Sequence, residues 1–298
     1  MQSTPRLKYI DTLRGLAILL VVIGHAIGGV PAEYGGGSEN LVWKIIYSFH
    51  MPLMFIVSGM VALDWRVVSA DVVRERIHKN ILGIYIPYLV WGYVYWGVSV
   101  LFYAGDYTGT VNDGWKLPWD NSAWPMGWFL LVLFAIKMID VLLQVVLGWI
   151  DVSLRVYVEL VLWTIAFIIF RNTEVWLWAN VVKYGLFFTI GRGLREWKLT
   201  DGLEDFKLFT REKSALRELG QRSMAVYIIH PYVLVPVRIA MLHIGITSIW
   251  GILVVEAVAF SLVMNLCFRL MDRRFWVDAL FYPTKYMKKD LLLTLTDD

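Results

Sequence analysis

Apolar runs of about twenty residues recur along this 298-residue chain and leave it few folds to choose from. Inside a bilayer no water is available to pair with the backbone, so such a run must satisfy its own N–H and C=O groups as a helix. The spans are read at 13–30, 43–63, 81–104, 125–147, 156–171, 176–192, 223–242 and 248–271. The fold class expected is all-α: a polytopic transmembrane helical bundle of about eight spans, forming a single integral membrane domain over 1–298. A mean hydropathy of +0.58 with only 18% charged residues fits this, because a soluble domain of the same length carries more charge. Fifteen Trp and fifteen Tyr suit two interfacial belts. A lone cysteine, Cys267, excludes an internal disulfide and a thiolate metal cluster. No small-residue cleavage site follows the first apolar run, so that run reads as a retained signal anchor.

Charge placement orients the spans. With both termini cytoplasmic, the inner segments carry Arg6 and Lys8, then Arg66, Arg74, Arg76 and Lys79, then Arg155. They continue with the eight basic residues from Arg192 to Arg222, and with Arg273, Arg274, Lys285, Lys288 and Lys289. The outer loops hold only Lys116 and Arg171, which is the positive-inside pattern. The outer loop 105–124 is long enough to cover a site opening outward. The inner segment 193–222 reads either as an amphipathic helix presenting Leu203, Phe206, Leu208 and Phe209, or as a solvated linker. No internal repeat supports an inverted-repeat transporter, and nothing points to nucleic acid as a partner.

Ionisable side chains inside apolar runs are costly and read first as functional. Arg14 and His25 are eleven residues apart in the first run, so they share one helix face at a separation of roughly 16 Å. Coenzyme A carries its negative charges at one end and its thioester at the end of a flexible arm of comparable reach. Arg14 could anchor the phosphates; it could also snorkel to inner headgroups or pair with Asp11. A neutral imidazole at His25 could take a proton from an alcohol, and His50 in the next span lies at a similar depth. The alternative for His50 is a helix-packing hydrogen bond. Lys137 and Asp140, at i and i+3, are expected to neutralise each other.

Glu256 has no partner near it in sequence; it could orient a histidine, bond a sugar hydroxyl or pack on a polar neighbour. Trp124, Trp128 and Phe129 sit at the outer interface, as anchors or as a surface for sugar stacking. Ser223, Tyr227 and His230 form one stripe of the seventh span, with His230 in its inner half, where it could line a donor tunnel. No phosphate-loop, dinucleotide, zinc-protease, Cys/His metal or nucleophile-elbow motif is present.

The segments Tyr9-Ile10-Asp11-Thr12-Leu13-Arg14-Gly15-Leu16-Ala17 leading to His25, Phe49-His50-Met51-Pro52-Leu53 with Ser58-Gly59, Gly127-Trp128-Phe129-Leu130, and Leu219-Gly220 through His230 occur in the order seen in the membrane acyltransferase 3 family. The chain resembles the sugar O-acetyltransferases of that group, the fucose 4-O-acetylase-like enzymes. The resemblance implies transfer of an acetyl or similar acyl group from cytoplasmic acyl-CoA to a hydroxyl of an extracytoplasmic glycan or glycolipid. No permanently bound cofactor is implied; acetyl-CoA is the donor substrate and membrane lipids surround a multi-pass protein of the cell (inner) membrane. Carried onto this chain, Arg14 and His25 become the essential pair, with His25 the catalytic residue, and the reading of the residues adds His50. The two together give Arg14, Arg74, Arg76, Lys79, Ser58 and His230 to the donor and Trp128 and Glu256 to the acceptor. Family members typically have about ten spans, and the polar segment 195–222 stands where a further helical hairpin could lie. The rival readings are a non-enzymatic transporter or exporter of a glycan or small molecule, and a membrane scaffold.

Overall fold

The computed structural model of the protein describes residues 8–62, 69–103, 113–200, 202 and 214–286, and all regular structure among them is helical. The long helices are α1 (Lys8–Gly29), α2 (Leu41–Met60), α3 (Ala70–Asn80), α4 (Ile86–Tyr103), α5 (Trp128–Val146), α6 (Val152–Phe170) and α7 (Trp176–Glu196). A short α8 (Ala215–Gln221) leads into α9 (Ser223–His243), followed by α10 (Ile249–Arg273) and α11 (Phe275–Phe281).

Local chemistry sets the ends. Asn40 caps α2 by accepting from the N–H groups of Val42 and Trp43. Ser69 and Asp151 do the same for α3 and α6. Between α1 and α2 the chain turns at Gly35 and Gly37, whose φ of 86° and 72° would strain any residue with a side chain. Residues Ile81–Tyr85 form a π-helical turn just ahead of Pro87, which has no N–H to give. That turn joins α3 to α4 without a break. The expected third span, 81–104, therefore has a helical extension reaching back to Ala70 that carries Arg74, Arg76 and Lys79.

Seven helices among the described residues are long and apolar enough to cross a membrane: Lys8–Gly29, Leu41–Met60, Ala70–Leu101, Pro125–Val146, Val152–Phe170, Ser223–His243 and Ile249–Arg273. The polytopic all-α reading holds, with one span fewer on this measure than about eight. The difference is the expected span 176–192. It forms α7, 21 residues long, but Asn180, Lys183, Arg192, Arg195 and Glu196 dilute its apolar surface. Burial differs sharply among the seven: α1 is the most enclosed, while α6 and α10 expose rows of apolar side chains such as Val161, Ile165 and Ile168, or Val254, Val258 and Leu262. Rows of that kind are what a helix presents to hydrocarbon.

The chain divides into two compact units. The first holds 1–62 and 187–268, the second 63–186 and 269–298. In the second, α5 and α6 share a buried polar set. Gln144 donates to Glu159 at 3.0 Å and to Asp140 at 3.5 Å, while Arg155 donates to Gln144 at 2.5 Å. Arg155 also reaches the carbonyls of Gly148 and Ile150, closing the turn between the helices. Asp140, expected to answer Lys137, thus sits within a larger network. The described part of the loop 105–124 is pinned to the π-helical turn and to α4 through the hydroxyls of Tyr85 and Tyr88, which donate to the carbonyls of Pro118 (2.9 Å) and Asp120 (3.1 Å). The expected amphipathic residues Leu203, Phe206, Leu208 and Phe209 lie outside the described residues.

Candidate active site

The first unit is built on backbone-to-backbone contact between helices. A Cβ on Gly15 would stand 1.7 Å from the carbonyl oxygen of Leu216, and one on Gly220 would stand 1.7 Å from that of Asp11. Only glycine lets α1 and α8 come this close. A Cβ on Gly59 would likewise meet the carbonyl oxygen of Phe188 at 1.9 Å. The contact of α8 with α1 delivers the start of α9 to Arg14, whose guanidinium donates to the Ser223 hydroxyl at 2.9 Å. Two residues earlier, Gln221 donates to Asp11 at 3.2 Å. Arg14 is therefore half-buried beside the first turn of α9.

Farther along α1, His25 is surrounded by rings from two other helices. The His230 ring of α9 lies 5.2 Å from it, centroid to centroid, tilted by 30°. The Tyr47 hydroxyl of α2 lies 3.3 Å from His25 Nδ1. Tyr47 in turn packs on His50 at 4.5 Å. His50 is buried and its Nδ1 donates to the Ile46 carbonyl at 2.8 Å, within its own helix. His25, His50 and His230 thus form one contiguous aromatic group with Tyr47. Sequence depth placed His230 in the inner half of its span; the structure sets it against His25.

The last turn of α1 is held by a residue that sequence reading passed over. Arg238 donates to the carbonyls of His25 (3.1 Å) and Ala26 (3.2 Å). A Cβ on Gly29 would fall 1.4 Å from an Arg238 nitrogen, so the glycine makes room for the guanidinium. α1 has no basic residue in its own last turn, and Arg238 supplies the cation that the carbonyl end of a helix favours. Glu256 of α10, 1% exposed, pairs with Arg238 at 2.9 Å. The sequence left three readings open for Glu256, orienting a histidine, bonding a sugar hydroxyl or packing on a polar neighbour; in the structure it is bound to the arginine that caps the histidine's helix. The signal that could have found Arg238 was the ordinary one: a charge in an apolar run.

The remaining predicted residues fall elsewhere. Ser58 donates to the Met54 carbonyl of its own helix at 2.8 Å, beside the close packing of Gly59 on α7. Arg74, Arg76 and Lys79 stand on α3, in the second unit, where Lys79 forms an ion pair with Glu75. Trp128 begins α5 in that same unit and packs against Tyr184 at 5.5 Å and Trp176 at 6.5 Å. So Arg14, His25, His50, Ser58, His230 and Glu256 belong to the first unit, and Arg74, Arg76, Lys79 and Trp128 to the second. Among the described residues no group of three or more His, Cys, Asp or Glu side chains is arranged to hold a metal ion.

The first unit therefore offers a cation at one end of a buried helix and paired imidazoles toward the other. Imidazoles beside a hydroxyl are suited to moving protons or carrying an acyl group. No curated protein and no solved structure matches the chain. The family model described as an acyltransferase domain, that of the acyltransferase 3 family, matches residues 7–202. That range takes in Arg14, His25, His50 and Ser58, while His230, Arg238 and Glu256 lie beyond it. It covers well over half of the chain, and with the helical membrane architecture it makes this protein a member of the acyltransferase 3 family and a multi-pass membrane acyltransferase.

Proposed function

We propose that this enzyme moves an acetyl or similar acyl group from cytoplasmic acyl-CoA to a hydroxyl of an extracytoplasmic glycan or glycolipid, in the cell (inner) membrane. The observation that carries the reading is the arrangement along α1: Arg14 beside Ser223 at one end, and His25 within the His230–Tyr47–His50 group toward the other. Eleven residues of helix separate them, roughly 16 Å. A donor whose phosphates meet Arg14 can extend its thioester toward His25. There His25 acts as general base on the acceptor hydroxyl, or carries the acyl group for part of the cycle. Trp128 offers a ring at the outer end of α5 for a sugar face. Arg74, Arg76 and Lys79 give the cytoplasmic side further cations for the donor. The positive-inside bias, with both termini in the cytoplasm, supports this direction of transfer. It also supports α7 as an eighth crossing, since 21 helical residues span about 30 Å.

The test is acetyl-CoA turnover in purified membranes with a panel of glycan acceptors, at matched protein levels. His25→Ala lowers transfer by about 100-fold or more, the range expected for loss of a general base or nucleophile. Arg14→Ala raises the acetyl-CoA concentration needed for half-maximal rate about tenfold, corresponding to ~1.4 kcal/mol of lost binding. A wild type that shows neither acceptor-dependent transfer nor acetyl-CoA binding would defeat this assignment.

A further inference from the structure

His230 is completely buried, and its two ring nitrogens have been given different tasks. Nδ1 donates to the Tyr227 carbonyl at 2.6 Å. In an ordinary helix that carbonyl would accept from the N–H four residues on, but residue 231 is proline and has none. The proline thus frees an acceptor, and the imidazole of the preceding residue fills it. Because a carbonyl can only accept, the ring's proton must sit on Nδ1, and Nε2 is left with a bare lone pair. That Nε2 is buried and has no hydrogen-bond partner in the structure. A buried polar atom left unsatisfied costs free energy and asks for a reason. Its ring lies 5.2 Å from that of His25.

We propose that His230 is a second catalytic residue: it takes the proton of the acceptor hydroxyl while His25 carries the acyl group. This rests on the acyl-CoA-to-hydroxyl reading above and divides between two rings the two roles open to one. His25 is only half-buried, with Tyr47 steadying its Nδ1 side, so a thioester can reach it. His230 is fully enclosed and its ring lies 5.2 Å from that of His25, so it is not itself acylated, and the proton reaches it from a hydroxyl held at His25.

The chemistry balances. A nitrogen of His25 attacks the thioester carbonyl, a C–N bond forms, and the C–S bond breaks with its electron pair leaving on sulfur. The acceptor oxygen then attacks the acyl carbon as its proton moves to His230 Nε2. The ester C–O bond forms and the C–N bond breaks, returning its pair to His25. The proton on His230 is finally released to convert the thiolate to a thiol, and both rings end neutral.

The experiment separates the two half-reactions in the purified full-length enzyme. Free thiol is followed after rapid mixing with acetyl-CoA, first without and then with a responsive glycan acceptor. Wild type releases a burst of about one thiol per active site without acceptor. His230→Asn keeps a donor for the Tyr227 carbonyl but lacks the basic nitrogen. It is expected to retain that burst while losing about 100-fold or more in steady transfer. His25→Ala loses both. Burst and transfer that fall together in His230→Asn overturn the proposal, as does transfer that survives that substitution. A wild type that transfers without a burst uses direct attack; this overturns the two-ring division and leaves the assigned reaction standing. A wild type with no acceptor-dependent transfer defeats both.

Discussion

At the scale of single residues, Pro231 matters more than its apolar side chain suggests. Substituting Pro231→Ala returns an N–H to the helix, which then competes with His230 Nδ1 for the Tyr227 carbonyl. We expect ¹⁵N spectra of histidine-labelled protein to show the His230 tautomer passing from one form to a mixture. Transfer should fall about tenfold, the consequence of an active form reduced to a minor share. The change also improves helix propensity, by up to ~3 kcal/mol in an exposed helix, so lost activity would not report lost fold. A spectrum and rate both unchanged would mean that the proline does not set the ring. Residue types and spacing exposed Arg14, His25, His50 and Glu256, because each interrupts an apolar run. Matching depth already set His50 near His25, but neither the meeting of His25 with His230 nor the tautomer was legible. His230 was placed by counting along its span, and counting cannot show how far one helix is shifted against another. Arg238 carried the same signal, a charge inside an apolar run; what the sequence could not show was its pairing with Glu256, which lies on another helix and is brought to it only by packing.

At the scale of elements, glycines and one ion pair govern how helices meet. Gly15→Ala forces α8 away from α1, because the added Cβ would sit 1.7 Å from a backbone oxygen that no side-chain rotation can move. The expected loss is about 1–3 kcal/mol of stability. Thermal unfolding in detergent would register it, together with weaker acetyl-CoA binding as Ser223 leaves Arg14. Stability unchanged from wild type would show that the two backbones are not held together as described. Arg238→Leu leaves Glu256 buried without its cation and should cost about 3–5 kcal/mol. Pairing it with Glu256→Leu should restore most of that stability, since apolar residues often replace a buried pair without loss. Transfer should stay low in the double variant, because the carbonyls of His25 and Ala26 have still lost their donor. Full activity in the double variant would reduce the pair to a packing element. Helix existence and type were legible from apolar runs. The backward extension of the third span to Ala70 was not, because Arg74, Glu75, Arg76 and Lys79 end the apolar run while the helix itself continues through them into the π-helical turn.

For the whole molecule, the number of crossings is set by whether α7 enters the membrane. Charge bias supports eight, while among the described residues seven helices satisfy length and apolarity together. The two counts differ in one observable. Reporter fusions within 171–175 and within 197–202 should fall on opposite sides of the membrane if α7 crosses it. The chain's single cysteine, Cys267, lets the same question be asked by labelling introduced cysteines once it is replaced by serine. Labelling of both positions from one side would remove α7 from the membrane and place the two termini on opposite faces.

The first unit is discontinuous: α1 and α2 belong with α9, and residues 63–186 come between them. During synthesis the helix bearing Arg14 and His25 enters the bilayer long before the ribosome has made Ser223, His230 or Arg238. The nascent chain must therefore hold a charged and a titratable side chain in lipid with their final partners still missing. A chain truncated before α9 would keep both side chains in the bilayer without Ser223, His230 or Arg238 beside them, at the cost that unpaired polar groups carry there.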